Sequence, residues 1–156
     1  MATHIAAIKG FLEAEELKYD HDDGDLFIRT GFRTDDYEKD GRKSVRLIIE
    51  LSEEGRFIKF FAPKAYTMPK SASSFHKMAL FQTLLQISWQ TKMVQFEYDP
   101  DDGEVRVIVE FPLMDAELTR QQMRRCLMAL ANIIDDHHQQ ITDAIQCGIT
   151  PETKDE

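Results

Sequence analysis

Two acidic loops are the first candidates for metal chemistry in this chain. One is the run of aspartates around Gly24, in residues 20 to 25, and the other is residues 99 to 103. A helix–loop–helix calcium site needs glycine at its sixth position and a bidentate glutamate at its twelfth. The first loop has glycine at the fifth position and Gly31 at the twelfth, and the second has the same flaw. We therefore interpret both as solvated turns and predict no metal or cofactor.

A histidine pair, His137 and His138, follows Asp135 and Asp136 and invites a second metal interpretation. Adjacent helical residues point about 100° apart, so the two imidazoles do not converge on one ion, and no histidine lies four residues from either. We interpret His137 as a buried or interface polar group within an apolar stripe. His138 is expected to face solvent.

Three arginines, Arg120, Arg124 and Arg125, begin the last helical segment. Positive charge at a helix N-terminus opposes the macrodipole by some tenths of a kcal/mol, so something should compensate it. Two interpretations remain open. Either a nearby carboxylate such as Asp115 or Glu117 pairs with the cluster, or the cluster binds an anion or an acidic partner segment.

The sequence lacks the motifs that are typical of nucleophilic catalysis and of phosphate binding. The sequence has no GxSxG pattern, and neither Cys126 nor Cys147 has a histidine partner of defined geometry. Residues 40 to 44 (DGRKS) lack the upstream glycine of a P-loop. The net charge of −9 repels phosphate backbones, and no strand interleaves basic with aromatic residues. We expect neither an enzyme nor a nucleic-acid-binding protein.

The periodicity of apolar residues predicts one α+β domain at residues 1–150 with the order α-β-β-β-α-β-β-α. Short turns favour an antiparallel-rich five-stranded sheet with three helices, followed by a disordered tail at residues 151–156. The helices are expected at residues 4–19, 75–89 and 119–147, and the strands at 26–32, 44–51, 56–62, 90–98 and 104–111. Alternation is clearest in residues 44–51, and glycine at Gly103 suits a left-handed turn position.

The last predicted helix, residues 119 to 147, is the longest. Thr119 and Gln122 form a capping box at its start, and Gly148 followed by Pro151 ends it. At 1.5 Å per residue it would be roughly 43 Å long, about the width of the whole domain. The second helix, residues 75–89, is apolar around most of its circumference, which predicts burial on more than one side.

Composition indicates a soluble globular chain. Hydrophobic residues make up 42% of 156 residues, enough for a sizeable core, and the start shows no export or membrane signal. Only two cysteines are present, without a disulfide or CxxC spacing, so we expect reduced thiols and a cytoplasmic location.

Apolar residues exceed what one sheet face needs. Packing of helices on both sheet faces, self-association or a partner protein would each cover the surplus. The predicted partner-binding residues are Phe57, Phe60, Phe61, Ile48 and Ile108. The predicted dimerisation residues are Phe81, Leu85, Trp89 and Met93.

Residues 85–111 (LQISWQTKMVQFEYDPDDGEVRVIVEF), running into residues 118–134, together with the element order, resemble the YbjN-like proteins of the type III secretion chaperone-like fold. The resemblance implies a small acidic homodimer that holds an extended client segment on apolar patches without ATP. It offers no site residues to carry over, and it does not imply a role in secretion.

Two functional hypotheses follow. The first is a non-catalytic protein-binding module, chaperone-like or regulatory and homodimeric. The alternative is a small-molecule or anion sensor that uses Arg120, Arg124 and Arg125. The client, the biological process and the dimer geometry are not encoded in any motif.

Overall fold

The computed structural model describes residues 2 to 148, which form one antiparallel six-stranded sheet and four α-helices. The predicted α+β class is confirmed, whereas the predicted counts of five strands and three helices are wrong. The helices are α1 (Ile5–Ala14), α2 (Ser74–Gln90), α3 (Arg120–Asp136) and α4 (His138–Cys147). The strands are β1 (Tyr19–Asp20), β2 (Phe27–Arg33), β3 (Ser44–Ser52), β4 (Phe57–Thr67), β5 (Gln95–Tyr98) and β6 (Glu104–Pro112).

The strands lie in the order β1-β2-β3-β4-β6-β5, and every neighbouring pair is antiparallel. Ile49, Phe60 and Val109 pair across three central strands and are buried, so they mark the face that packs against the helices. Helix α3 lies over β3, β4 and β6, α1 packs against α3, and α4 packs against α2 and α3. The opposite face, which we call the open face, carries Arg46, Lys59 and Arg106.

The long helix predicted over residues 119 to 147 is interrupted at His137. This residue has φ −107° and ψ 9°, outside helical geometry, and it separates α3 from α4. The ring Nδ1 of His137 donates to the Ile133 carbonyl oxygen at 3.1 Å. Two helices of about 25 and 15 Å therefore replace one of roughly 43 Å, and α4 packs against α2.

The predicted ends of this segment are confirmed. Thr119 Oγ1 accepts a hydrogen bond from the Gln122 amide at 3.2 Å, and the Thr119 amide donates to Gln122 Oε1 at 2.9 Å. Gly148 adopts a left-handed conformation at the end of α4. Pro151 and the predicted tail at residues 151–156 lie outside the described residues.

The sixth strand comes from residues predicted to end the first helix. Helix α1 stops at Ala14, Glu16 takes a positive φ, and Tyr19 pairs with Thr30 at the sheet edge. Thr3 does not cap α1 through its side chain. Instead its Oγ1 accepts a hydrogen bond from the Leu118 amide at 2.9 Å, which joins the start of the domain to the segment that precedes α3.

Strand β4 is longer than predicted because residues 63 to 67, expected in a loop, continue the strand beside β6 after a bulge. Glycine is confirmed at a left-handed position of the β5–β6 turn, where Gly103 has φ +77°. None of the helices within residues 2 to 148 is long and apolar enough to cross a membrane.

Candidate functional site

Helix α2 carries a row of large apolar side chains on its solvent side. Phe75, Met78, Leu85 and Trp89 are exposed by 67, 70, 71 and 89%. At 100° per residue these positions fall within about 80° of one another, so they form one line, which we call the α2 stripe. The opposite side of α2, with Leu80, Leu84 and Ile87, is buried. The expectation that α2 is buried on more than one side is therefore wrong for the single chain.

Three of the predicted dimerisation residues lie at or beside this stripe. Leu85 and Trp89 belong to it, and the exposed Met93 follows in the turn that leads to β5. Phe81 does not, because its ring packs edge-on against Tyr98 with 4.9 Å between centroids, and it is only partly exposed. Sequence reasoning left Phe75 and Met78 out of this set, although their spacing to Leu85 and Trp89 was available as a signal.

A shallow groove lies between residues 91 to 93, which follow α2, and the outer side of α3. It has a volume of about 670 Å³, and its apolar lining comes from Met93, Met128 and Ala129. Lys92, Arg124 and Arg125 supply positive charge around it. The groove therefore joins exposed methionine surface to a basic rim, within a protein of net charge −9.

The arginine cluster is largely explained by a carboxylate that sequence reasoning missed. Glu15, just after α1, places its two oxygens 3.3 Å from Arg120 Nε and 3.4 Å from Arg124 Nε. Glu15 is distant from both arginines in sequence, so no local pattern pointed to it. Arg124 and Arg125 also line the groove.

The predicted partner-binding set is not an exposed surface. Phe60 is completely buried against the helices, and on the other side of the sheet Ile108 and Phe61 are exposed by only 1 and 8%. Ile48 and Phe57 are half-buried. Contrary to the prediction, these five residues together do not form an exposed partner surface in the single chain.

The covering of Phe61 has an electrostatic origin. Lys59 Nζ and the Arg106 guanidinium lie 5.3 and 5.5 Å from the centroid of its ring, a cation–π arrangement. Lys59 also lies 3.7 Å from Glu97 and 3.9 Å from Glu110, which holds it across the open face. Long charged side chains thus cover apolar surface that we had assigned to helices or partners.

The aspartate–histidine segment organises a buried polar cluster. The Tyr66 hydroxyl lies 3.2 Å from His138 Nδ1, and the Tyr37 ring packs edge-on against both. His138 is therefore half-buried, not solvent-facing as predicted. His137, predicted as a buried or interface residue, is half-buried at the break between helices. Burial, followed by the charge of Asp40, raises the pKa of Tyr37 to about 12.

Asp135 has a clear structural task in this cluster. Its carboxylate accepts hydrogen bonds from the backbone amides of Asp35, Asp36 and Tyr37 at 2.9, 2.8 and 2.7 Å. Partial burial acts to raise its pKa, but these three donors outweigh burial and leave the pKa below its ordinary value. The loop between β2 and β3 is thereby tied to the C-terminal end of α3.

Both cysteines are free thiols. Cys126 is buried, which raises the pKa of its thiol to about 11, and Cys147 is exposed at the end of α4. Within the described part of the chain, no three His, Cys, Asp or Glu side chains gather where a metal ion could be held. Comparison with known protein families gives no match, and neither does comparison with curated proteins.

Proposed function

We propose that this chain is a non-catalytic protein-binding module, chaperone-like or regulatory, that assembles as a homodimer through the α2 stripe and holds a partner segment beside it. The observation that carries the proposal is the alignment of Phe75, Met78, Leu85 and Trp89 on one exposed helix side. Monomeric proteins rarely leave such a row of large apolar residues in water. A cytoplasmic location and the resemblance to the YbjN-like proteins are parts of this proposal.

The area of the α2 stripe suits the centre of an interface. With side-chain areas of 150 to 250 Å² for residues of this size, the stripe exposes roughly 600 Å² per chain. A stable interface buries about 800 Å² per partner, so a modest rim of neighbouring polar residues would complete it. At about 25 cal/mol per Å², burial of the stripe alone would contribute on the order of 15 kcal/mol per chain before the entropy of association is subtracted.

A twofold axis across the middle of α2 fits this surface. The stripe has aromatic residues at both ends, so antiparallel packing of two α2 helices would set Phe75 of one chain near Trp89 of the other. Gln82 lies within the same helix side, close to its middle. At that position it would meet its own copy, where paired side-chain amides can satisfy each other's hydrogen-bonding groups.

The groove between α2 and α3 is the proposed seat of the partner segment. Its methionine surface adapts to varied apolar side chains, and the positive charge of Lys92 and Arg125, which do not pair with Glu15, favours acidic residues on the segment. The alternative function, an anion sensor at Arg120, Arg124 and Arg125, has less support because Glu15 already pairs with two of the three.

Sedimentation equilibrium tests the dimer. We expect wild-type chain to have twice the 18.1 kDa monomer mass, and Leu85→Glu and Trp89→Glu each to return it to the monomer. Leu26→Glu is the matched control, because Leu26 is also an exposed leucine, at 61%, but lies away from α2. Circular dichroism should show all three variants folded. Wild-type chain that remains monomeric at about 100 µM would overturn the homodimer.

A further inference from the structure

The sheet divides between β3 and β4 at one end. These strands pair from Ser52 opposite Phe57 to Ile48 opposite Phe61, and their pairing stops there. Strand β3 then continues beside β2 as far as Ser44, whereas β4 passes through a bulge and continues beside β6 as far as Thr67. The first residues of β3 therefore face a gap where β4 would otherwise lie. We call this gap the sheet fork.

A cavity of about 720 Å³ occupies the sheet fork, within the size range of small-molecule sites. Gly31 on β2 lines it and pairs with Arg46. A Cβ atom at Gly31 would lie 2.8 Å from the Val45 carbonyl oxygen, so no side chain fits there without a backbone shift. On the other side, Lys64 in the bulge has φ +48°, an uncommon conformation for lysine.

The outer wall of the cavity is the loop between β2 and β3, and the protein holds it firmly. The Tyr37 hydroxyl donates to the Ala65 carbonyl oxygen at 2.8 Å, and the Lys39 amine donates to the Lys64 carbonyl oxygen. These two bonds join the loop to β4 across the fork. With the Asp135 carboxylate fixing the same loop to α3, the cavity is preformed and does not depend on a ligand to shape it.

The cavity is basic in an acidic protein. Its lining contains the four cations Lys39, Arg42, Arg46 and Lys64, and the single carboxylate of Asp40. Asp102 lies 3.5 Å from the Lys64 amine, and a carbonyl oxygen holds Lys39. The guanidinium groups of Arg42 and Arg46, by contrast, form no ion pair with any residue between 2 and 148.

Arg42 and Arg46 both line the cavity and are exposed, and each guanidinium presents a planar fork of donors that matches phosphate or carboxylate oxygens. An anion bound there would pair with positive charge that no carboxylate of residues 2 to 148 neutralises by an ion pair. We infer that the sheet fork binds a small multivalent oxyanion, a phosphate ester or a polycarboxylate, between Arg42 and Arg46. This site lies on β2, β3, β4 and their connecting loop, so it does not depend on the α2 stripe or on dimerisation.

Isothermal titration calorimetry tests the inference with two probes, inorganic pyrophosphate and citrate, in a low-salt buffer. Titration with sodium chloride at equal ionic strength is the control, because it shows the heat that comes from general electrostatic screening of a chain of charge −9. We expect saturable binding of at least one probe, weakened roughly tenfold by Arg42→Gln and by Arg46→Gln. Arg33→Gln is the matched control, because Arg33 is exposed on β2 but does not line the cavity.

Amide chemical shifts locate the bound anion. Binding at the sheet fork should move the resonances of Gly31, Arg46 and Lys64, and leave those of α2 in place. Pyrophosphate binding alone would assign the site to phosphoryl groups, and citrate binding alone would assign it to polycarboxylates. Absence of saturable binding for both probes at about 10 mM, or equal affinities in Arg33→Gln, Arg42→Gln and Arg46→Gln, would overturn the inference.

Discussion

Replacing Asp135 by alanine should destabilise the domain by a predictable amount. The carboxylate of Asp135 receives three backbone hydrogen bonds from the loop between β2 and β3, at 2.7 to 2.9 Å. Asp135→Ala removes all three acceptors at once and leaves the amides of Asp35, Asp36 and Tyr37 without that partner. Water can reach the first two, which are exposed, but the third belongs to a buried tyrosine.

The expected magnitude is about 2 kcal/mol. Hydrogen bonds to charged groups contribute roughly 1.5 to 3 kcal/mol each when shielded, and solvent screening at this partly exposed site reduces that to roughly 0.5 to 1 kcal/mol. Since a domain of this length loses about 2 to 4 °C in Tm per kcal/mol, we expect a decrease of roughly 4 to 8 °C.

Urea unfolding followed by circular dichroism measures the change. Asp136→Ala is the matched control, because it removes the same charge from the next residue of α3, which is exposed. We expect Asp136→Ala to change the free energy of unfolding by less than about 0.5 kcal/mol. Equal losses in the two variants would refute the argument, because they would reflect helix charge and not the loop contacts.

The pH dependence supplies a second check with a defined sign. The pKa of Asp135 is lowered in the folded protein, so its contribution is fully present above the unfolded-state pKa of about 3.9 and is lost as pH falls through the folded-state pKa. The stability difference between wild type and Asp135→Ala should therefore shrink from pH 5 towards pH 2. A difference that stays constant over this range would contradict the assignment of the three bonds to the ionised carboxylate.

Three further predictions concern the core and the turns. Gly103→Ala should destabilise the domain by at least about 2 kcal/mol in urea unfolding, because its Cβ would lie 2.0 Å from the Met68 carbonyl oxygen. The control Gly24→Ala, also at positive φ but in open space, should destabilise it by about 1 kcal/mol. Absorbance titration should show one tyrosine with a midpoint near pH 12, and this transition should disappear in Tyr37→Phe. Because the pKa of Tyr37 is raised in the folded protein, the contribution of Tyr37 to stability should be lost as pH rises from about 10 to 12. A thiol reagent at neutral pH should modify Cys147 quickly and Cys126 only after unfolding, because Cys126 is buried with a thiol pKa of about 11; rapid reaction of both would contradict this packing.

Local patterns predicted most elements but not the direction of the chain at His137. Leu130 and Ile134 before the break, and Ile141 after it, are all buried, so the apolar periodicity continues through the interruption. The first part packs on the sheet and the second against α2. Apolar periodicity predicts which residues are buried but not the element against which they pack. The sequence therefore predicts one helix where the structure has α3 and α4.

Strand β1 and the long β4 escaped prediction for a related reason. Two residues, Tyr19 and Asp20, are too short for an alternation to be recognised, and they become a strand only because β2 offers a free edge. Residues 63 to 67 lie beyond the strand predicted over residues 56–62, yet they continue β4 beside β6 through a bulge that accommodates Pro63. Both features depend on long-range pairing.

In the candidate site too, features set by neighbouring residues were predicted from the sequence, whereas features set by distant segments were not. Helical spacing within the sequence places Leu85 and Trp89 on one side of α2, but it does not predict that this side is exposed. The pairing of Arg120 and Arg124 with Glu15, and the unpaired position of Arg46 at the sheet fork, both depend on segments far apart in the chain. Sequence alone therefore identified the arginine cluster as unusual, but Glu15 was not among its candidate carboxylates.

Two apolar surfaces of this chain now require different explanations. On the open face the chain covers Phe61 with its own Lys59 and Arg106, and only 8% of Phe61 remains exposed. On α2 the residues between 2 and 148 supply no such cover, and Trp89 is 89% exposed. Because the same protein shields one aromatic surface with charged side chains and leaves the other bare, the α2 stripe is the surface at which a second copy is expected.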